Sequence, residues 1–143
     1  MPKKISINFL EKKYLNFLSA QEVRSEPFYD KLGQLKNFYL PICEKINQNY
    51  KKNKKISIIG LTGGQGAGKS TIAQILKLIL NYKYNLKVTN FSIDDFYKTL
   101  EERIKLSKNV HKLFKTRGVP GTHDIKLLKK IFFDKTKKNF KPI

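Results

Sequence analysis

One octapeptide near the middle of the chain constrains its fold more than any other feature. Residues 63–70 match the pattern G-x-x-x-x-G-K-[ST] and read Gly63, Gly64, Gln65, Gly66, Ala67, Gly68, Lys69 and Ser70. Glycines at these positions let the backbone curl so that successive N–H groups converge on one phosphate. The motif therefore predicts a phosphate-binding loop, or P-loop, with Lys69 reaching the β- and γ-phosphates and the Ser70 hydroxyl holding Mg²⁺. The alternative is a glycine-rich turn that joins two ordinary elements.

The segments on either side of this loop favour the phosphate-binding interpretation. Residues 55–60 form a short β-branched run that is typical of a buried strand. Apolar residues recur at helical spacing after the loop, at Ile72, Ile75, Leu76, Ile79 and Leu80. Residues 86–93 read as a second strand, after a turn at residues 81–85. The order predicts an α/β fold of the P-loop NTPase type, with a parallel sheet and flanking helices.

The predicted sheet is smaller than such folds normally contain. Two strands are indicated, and residues 139–143 could open a third, whereas an average sheet has roughly five or six strands. We therefore expect the chain to be C-terminally incomplete, the N-terminal portion of a longer protein. Within it, residues 1–50 form an N-terminal helical segment, and residues 51–143 form the first part of the P-loop core.

Helical patterns surround this predicted core. Two apolar stripes precede it, the first with Leu10, Tyr14, Phe17 and Leu18, and the second with Phe28, Leu32, Leu35, Tyr39, Ile42 and Ile46. Pro41 should kink or restart the second helix. Thr99 and Glu102 have capping-box spacing and predict a helix over residues 100–107. Residues 109–123 should be a loop, followed by a last helix with Asp124 as its N-cap.

Composition narrows the class of protein. The 143 residues suit one modest domain, and the single cysteine, Cys43, excludes a disulfide framework. A formal charge of +19 invites a nucleic-acid partner, yet only three of the 30 basic residues are arginine, so we regard nucleic-acid binding as disfavoured. No apolar stretch approaches membrane-spanning length, and a secretory signal pattern is missing. We expect a cytoplasmic protein; its oligomeric state is not indicated.

Two acidic residues follow the second predicted strand. Asp94 could orient an attacking hydroxyl and accept its proton, and Asp95 could hold Mg²⁺ together with Ser70. The alternative is a solvated acidic turn. Because the pair follows a strand that follows a P-loop, we favour the functional interpretation.

A second polar segment indicates an acceptor site. Arg117 could clamp a carboxylate, and His123 and Asp124 could bind a small acidic, hydroxylated substrate. Asp124 could instead be only a helix cap, and His123 only structural. Tyr97 could be a pocket wall or a core aromatic.

These segments resemble a known family. The D-glycerate 3-kinases, relatives of uridine kinase, phosphoribulokinase and pantothenate kinase, are similar at Phe38-Tyr39-Leu40-Pro41, Ser92-Ile93-Asp94-Asp95-Phe96-Tyr97, Glu101-Glu102-Arg103 and Arg117-Gly118-Val119-Pro120-Gly121-Thr122-His123-Asp124. The similarity covers most of residues 38–133. The family continues beyond a position like residues 141–143 into further sheet and a lid.

The resemblance implies transfer of the ATP γ-phosphate, with Mg²⁺, to D-glycerate. It makes residues 63–71, Thr71 included, the ATP site, with Lys69 and Asp94 as catalytic residues. From the residues themselves we expect Asp95, Tyr97, Arg117, His123 and Asp124 to bind the acceptor, and Ser70 and Asp95 to hold the metal. Two alternatives stay open: a related kinase with a nucleoside or pantothenate-like acceptor, and a non-catalytic ATP-binding remnant.

Overall fold

Helices and short helical turns make up the regular structure of the part of the chain that is described. The computed structural model describes residues 6–22, 27–53 and 56–136. In chain order these form α1 (Ile7–Gln21), α2 (Lys31–Gln34), a π-helical stretch (Leu35–Tyr39), α3 (Leu40–Asn53), α4 (Lys69–Tyr84), a 3₁₀ turn (Ile93–Phe96), α5 (Leu100–Asn109), a second 3₁₀ turn (Lys112–Lys115) and α6 (Ile125–Thr136).

The predicted parallel sheet is wrong for the described residues. They contain no strand, and their β-type pairing is one isolated antiparallel bridge between Tyr97 and His123. Residues 56–60 have no regular structure, and Ile56, Ile58 and Ile59 are 50%, 59% and 54% exposed. An apolar β-branched run indicates what a segment would bury, but a strand forms only where a second segment accepts its backbone hydrogen bonds. The third predicted strand, at residues 139–143, lies outside the described residues.

The chain divides into two compact units, Met1–Asn90 and Phe91–Ile143. The predicted boundary between residues 50 and 51 stays a prediction. Each unit is considered by itself below.

The first unit has an apolar core formed by helices. Leu10, Tyr14 and Leu18 form the buried face of α1, as the spacing predicted, and they share a cluster with buried residues of α4. Burial of such side chains stabilises a fold by roughly 1.5–3 kcal/mol each. Burial also raises the pKa of Tyr14 to about 12, with smaller contributions from Tyr39 and Asp30. Cys43 is fully buried, and its thiol donates to the Leu76 carbonyl oxygen at 3.8 Å.

The irregularity predicted near Pro41 takes the form of the π-helical stretch. The Leu40 N–H donates to the Leu35 carbonyl, five residues back, so one extra residue is held in the turn directly before the proline. Proline has no N–H to donate, and a wider turn beside it accommodates the interrupted hydrogen-bond ladder.

Local capping rules organise the second unit. The Thr99–Glu102 capping box is present at the start of α5, as predicted, with the Glu102 N–H donating to Thr99 Oγ1 at 3.2 Å. Most of residues 109–123 are irregular, with the second 3₁₀ turn inside them.

In the first unit, the predicted turn at residues 81–85 is mostly wrong, because α4 continues to Tyr84 and Asn85 then ends it in a left-handed conformation.

Candidate functional site

The loop at residues 63–70 owes its shape to two glycines. Gly66 and Gly68 have φ angles of 77° and 70°, in the left-handed region that L side chains avoid. A Cβ added at either position would meet no atom within 4 Å. Gly63 and Gly64 have no such φ, so the turn requires glycine for conformation at positions 66 and 68.

The loop delivers the chain into the N-terminus of α4. The Ala67 N–H donates to the Gly64 carbonyl at 3.3 Å, and the Ile72 N–H donates to the Gly68 carbonyl at 2.9 Å. Within the described residues, no side chain caps α4 and its first turn carries no acidic residue. The first N–H groups of a helix lack intrahelical acceptors and lie at the positive end of the helix dipole. The geometry is therefore suited to an anion such as a phosphate.

Lys69 is held close to this loop. Its ammonium donates to the Gly64 carbonyl oxygen at 2.7 Å, and its side chain is half-buried. An ammonium has three N–H donors, so two remain for other acceptors. Ser70 is exposed in the first turn of α4, followed by half-buried Thr71, and Gln65 and Ala67 form the exposed turn.

The residues present fit a magnesium ion bound chiefly through nucleotide. Mg²⁺ usually keeps several waters and takes one or two protein groups together with substrate phosphates. Ser70 offers one exposed hydroxyl oxygen in the first unit. The described residues contain no group of three or more His, Cys, Asp or Glu side chains that could hold a metal. A magnesium ion bound mainly by nucleotide phosphates does not require such a group.

In the second unit, the predicted acidic pair lies in the 3₁₀ turn Ile93–Phe96. Ser92 caps this turn: its hydroxyl accepts the Asp94 N–H at 3.2 Å. The Asp95 carboxylate accepts the Ser92 N–H at 2.7 Å. Both carboxylates are exposed, but Asp95 has this local structural use and Asp94 does not.

Tyr97 brings three predicted acceptor residues into one cluster. Its hydroxyl donates to Asp94 Oδ1 at 3.1 Å, and its ring stacks on His123 with centroids 4.2 Å apart. The Arg117 guanidinium carbon lies 5.6 Å from the centroid of the Tyr97 ring. Partial burial raises the pKa of Tyr97, as does the hydrogen bond to Asp94 and its charge, while Arg117 opposes the shift. We call Asp94, Tyr97, Arg117 and His123 the acceptor cluster.

Asp124 lies beside this cluster but serves α6. Its carboxylate accepts the Leu127 N–H at 2.9 Å, which is the helix-cap alternative stated above. His123 has a further feature: Nε2 is buried and has no hydrogen-bond partner among the described residues. A buried ring nitrogen without a partner costs free energy, which is common at functional sites.

Two buried residues that sequence reasoning left without a role donate hydrogen bonds to main-chain carbonyls of the segments that carry the cluster. Arg103 is 7% exposed and donates to the Lys98 carbonyl at 3.2 Å and the Lys115 carbonyl at 2.6 Å. Thr122 is fully buried, and its hydroxyl donates to the Val119 carbonyl at 2.6 Å. Their partners are main-chain carbonyls, which carry no sequence signature, so residue spacing could not have indicated these contacts.

Two yeast proteins named as kinases are similar to part of this chain. "Uncharacterized kinase mug58" of Schizosaccharomyces pombe is 45% identical over 76 residues, which is 52% of this chain and 27% of that protein. "Probable ATP-dependent kinase TDA10" of Saccharomyces cerevisiae is 43% identical over 83 residues, 55% of this chain and 29% of that protein. The matched part thus spans less than a third of either relative. The similarity supports a relationship to kinases over about half of the chain.

Family models and solved structures give no match to this chain. In the described part of the chain, no helix has both the length and the apolar character needed to cross a membrane.

Proposed function

We propose that this chain is part of an ATP-dependent kinase that phosphorylates a small hydroxylated acid, with D-glycerate as the acceptor. The observation that carries the proposal is the 63–70 loop, whose left-handed glycines lead into an uncapped helix N-terminus beside Lys69. The similarity to two proteins named as kinases, one of them as ATP-dependent, supports it.

In this proposal the first unit binds the nucleotide. The N–H groups of residues 63–71 hold the phosphates, and the two free donors of Lys69 contact the β- and γ-phosphates. The Ser70 hydroxyl is the proposed protein ligand for Mg²⁺ in this unit; a role of Asp95 at the metal stays a prediction. Magnesium, when bound, would neutralise the charge on the phosphate oxygens.

The acceptor cluster of the second unit supplies the groups for the substrate. Asp94 orients the acceptor hydroxyl and takes its proton as the oxygen bonds to the γ-phosphorus and the bond to ADP breaks. The Arg117 guanidinium would bind a carboxylate of the acceptor, and a ring N–H of His123 would donate a hydrogen bond to the acceptor. An acidic, hydroxylated acceptor matches this pairing of carboxylate and guanidinium, and the product from D-glycerate is 3-phosphoglycerate.

Nucleotide binding can be tested with a fluorescent ATP analogue and Mg²⁺. We expect saturable binding by the wild-type chain and a loss of at least tenfold in affinity for Lys69→Met, which keeps the length of the side chain but removes its charge. Lys87→Met is the matched control, since Lys87 is an exposed lysine of the same unit outside the loop. Equal affinity of the two variants would contradict the assignment of the loop.

Acceptor specificity can be tested with γ-labelled ATP and a panel of D-glycerate, uridine and pantothenate. We expect label in glycerate with the wild type and none with Asp94→Asn. Label in another acceptor would refute glycerate while keeping the kinase. Nucleotide binding without transfer to any acceptor would favour the non-catalytic alternative.

A further inference from the structure

The side chain of Asp94 is exposed, so something other than burial must hold its carboxylate in one orientation. The capping box of Ser92 holds the backbone of the 3₁₀ turn but uses the carboxylate of Asp95. Asp94 Oδ1 has a different partner, the Tyr97 hydroxyl at 3.1 Å. That contact spans one turn of chain and fixes the carboxylate through its own side chain.

Tyr97 is in turn held from two directions. The backbone on either side of it is bridged to the second polar segment: the Lys98 N–H donates to the Thr122 carbonyl at 2.8 Å, and the Asp124 N–H donates to the Phe96 carbonyl at 2.6 Å. Its ring stacks on His123 at an interplanar angle of 29°. A phenol held by backbone bonds and by ring stacking has little freedom to swing away from its acceptor.

The loop at residues 117–121 also lies against the Tyr97 side chain. The Arg117 guanidinium lies over its ring, where the negative face of an aromatic ring attracts a cation. Gly118 has a φ of 89°, and a Cβ added there would be 4.0 Å from the Tyr97 hydroxyl oxygen. The loop that supplies Arg117 and His123 is therefore ordered against the same side chain that holds Asp94.

We propose that Tyr97 is a positioning residue: its hydroxyl orients the Asp94 carboxylate toward the acceptor hydroxyl, and its ring couples that orientation to the segment carrying Arg117 and His123. This inference rests on the proposed function, because it assigns Tyr97 an effect on the reaction at Asp94. Tyr97 donates to one carboxylate oxygen, and the other stays available to the acceptor. When an acidic acceptor binds Arg117 and orders the 117–123 segment, the Tyr97 ring is fixed by its contacts with that segment, and its hydroxyl then fixes the Asp94 carboxylate.

Among the described residues, the charged or titratable groups that face the Tyr97 side chain are Asp94 at its hydroxyl, His123 against its ring and Arg117 over it. Partial burial raises the pKa of Tyr97, and Asp94 adds to this, so at neutral pH the phenol keeps the proton that it donates.

The kinetic test compares Tyr97→Phe with Tyr29→Phe, which removes the hydroxyl of an exposed tyrosine of the first unit. Phenylalanine keeps the ring, so stacking and the fold should persist, and thermal unfolding is measured as the check. We expect Tyr97→Phe to lower kcat for transfer to the acceptor about tenfold, a loss of about 1.4 kcal/mol in transition-state stabilisation, without weakening nucleotide binding. A Tyr97→Phe rate equal to that of Tyr29→Phe would overturn the inference.

A second measurement does not need activity. Tyrosine ring carbons are labelled, the Tyr97 signal is assigned from its loss in Tyr97→Phe, and its titration is followed by NMR in the wild type and in Asp94→Asn. We expect the phenol pKa to fall in Asp94→Asn, because the carboxylate charge no longer opposes the phenolate; an unchanged pKa would overturn the contact. If no acceptor is labelled by the wild type while the pKa falls, the proposed function fails and the contact stands without a role in catalysis.

Discussion

Substitution of Gly68 by alanine tests the shape of the 63–70 loop directly. Gly68 has a φ of 70°, and an added Cβ would meet no atom within 4 Å, so the whole effect should come from backbone strain. Holding an alanine in the left-handed region costs about 1–2 kcal/mol. Removing a glycine from the unfolded chain returns about 0.4–1 kcal/mol of stability. The net loss for Gly68→Ala should therefore lie between about 0 and 1.6 kcal/mol, so the comparison with a control glycine is the sharper measurement.

Gly60→Ala is the matched control in the same unit. Its added Cβ also meets nothing within 4 Å, but Gly60 is not among the glycines with positive φ. It should gain the unfolded-state term of about 0.4–1 kcal/mol without the strain. The free energies of unfolding of the two variants, measured by urea denaturation followed by circular dichroism, should thus differ by about 1–2 kcal/mol.

The same strain should weaken nucleotide binding. If alanine leaves the left-handed region to relieve the strain, the N–H groups of the loop turn away from the phosphates. Nucleotide would then have to restore the left-handed turn against up to the same 1–2 kcal/mol, which corresponds to roughly 5–30-fold in affinity, and the loss of folding stability would be smaller by the amount relieved. Equal unfolding free energies for Gly68→Ala and Gly60→Ala, together with equal nucleotide affinities, would refute the left-handed turn and the argument that this loop is shaped for phosphate.

Three further predictions concern packing and titration. Gly121→Ala should lower the free energy of unfolding by about 2–4 kcal/mol in urea denaturation, because its Cβ would lie 2.9 Å from a Phe114 ring carbon and its φ of 93° strains any L residue. Adding Phe114→Leu should recover the part due to the steric contact, and Gly118→Ala should show the backbone strain alone. Arg103→Met should cost about 2–3 kcal/mol by the same assay, since the carbonyl oxygens of Lys98 and Lys115 then lose their guanidinium donors. A change within experimental error would contradict the structural role of Arg103. Burial raises the pKa of the Cys43 thiol from 9.0 to about 12, so the folded state keeps a proton that the unfolded state loses; wild-type stability should fall between those pH values more steeply than that of Cys43→Ala, and parallel pH profiles would refute the burial argument.

Much of the local structure follows from short-range rules that a sequence displays. The capping box of Thr99 and Glu102 and the N-cap at Asp124 were predicted because one side chain and one nearby N–H suffice for each. The apolar stripe of α1 was predicted because helical periodicity requires no knowledge of the partner. The glycines of the 63–70 loop indicated a tight turn ahead of a helix, and both are present.

The prediction of a parallel sheet was wrong because a sheet depends on contacts that are distant in sequence. Residues 56–60 and 86–93 have the composition of strands, but a strand depends on backbone partners that are distant in sequence, and among the described residues those partners are missing. Composition measures a preference for burial, whereas pairing is decided by the rest of the chain.

The candidate site shows the same division. Residue types and spacing predicted Lys69, Asp94, Arg117 and His123 as candidate site residues, because ammonium, carboxylate, guanidinium and imidazole chemistry belongs to the side chain itself. Tertiary structure alone decided that the Tyr97 hydroxyl reaches Asp94 while its ring stacks on His123. The caps made by Asp95 and Asp124 are instead short-range contacts, each between residues three positions apart in the chain. Side-chain chemistry is local and can be read from the sequence, but a contact between residues 97 and 123 exists only once the backbone between them has folded.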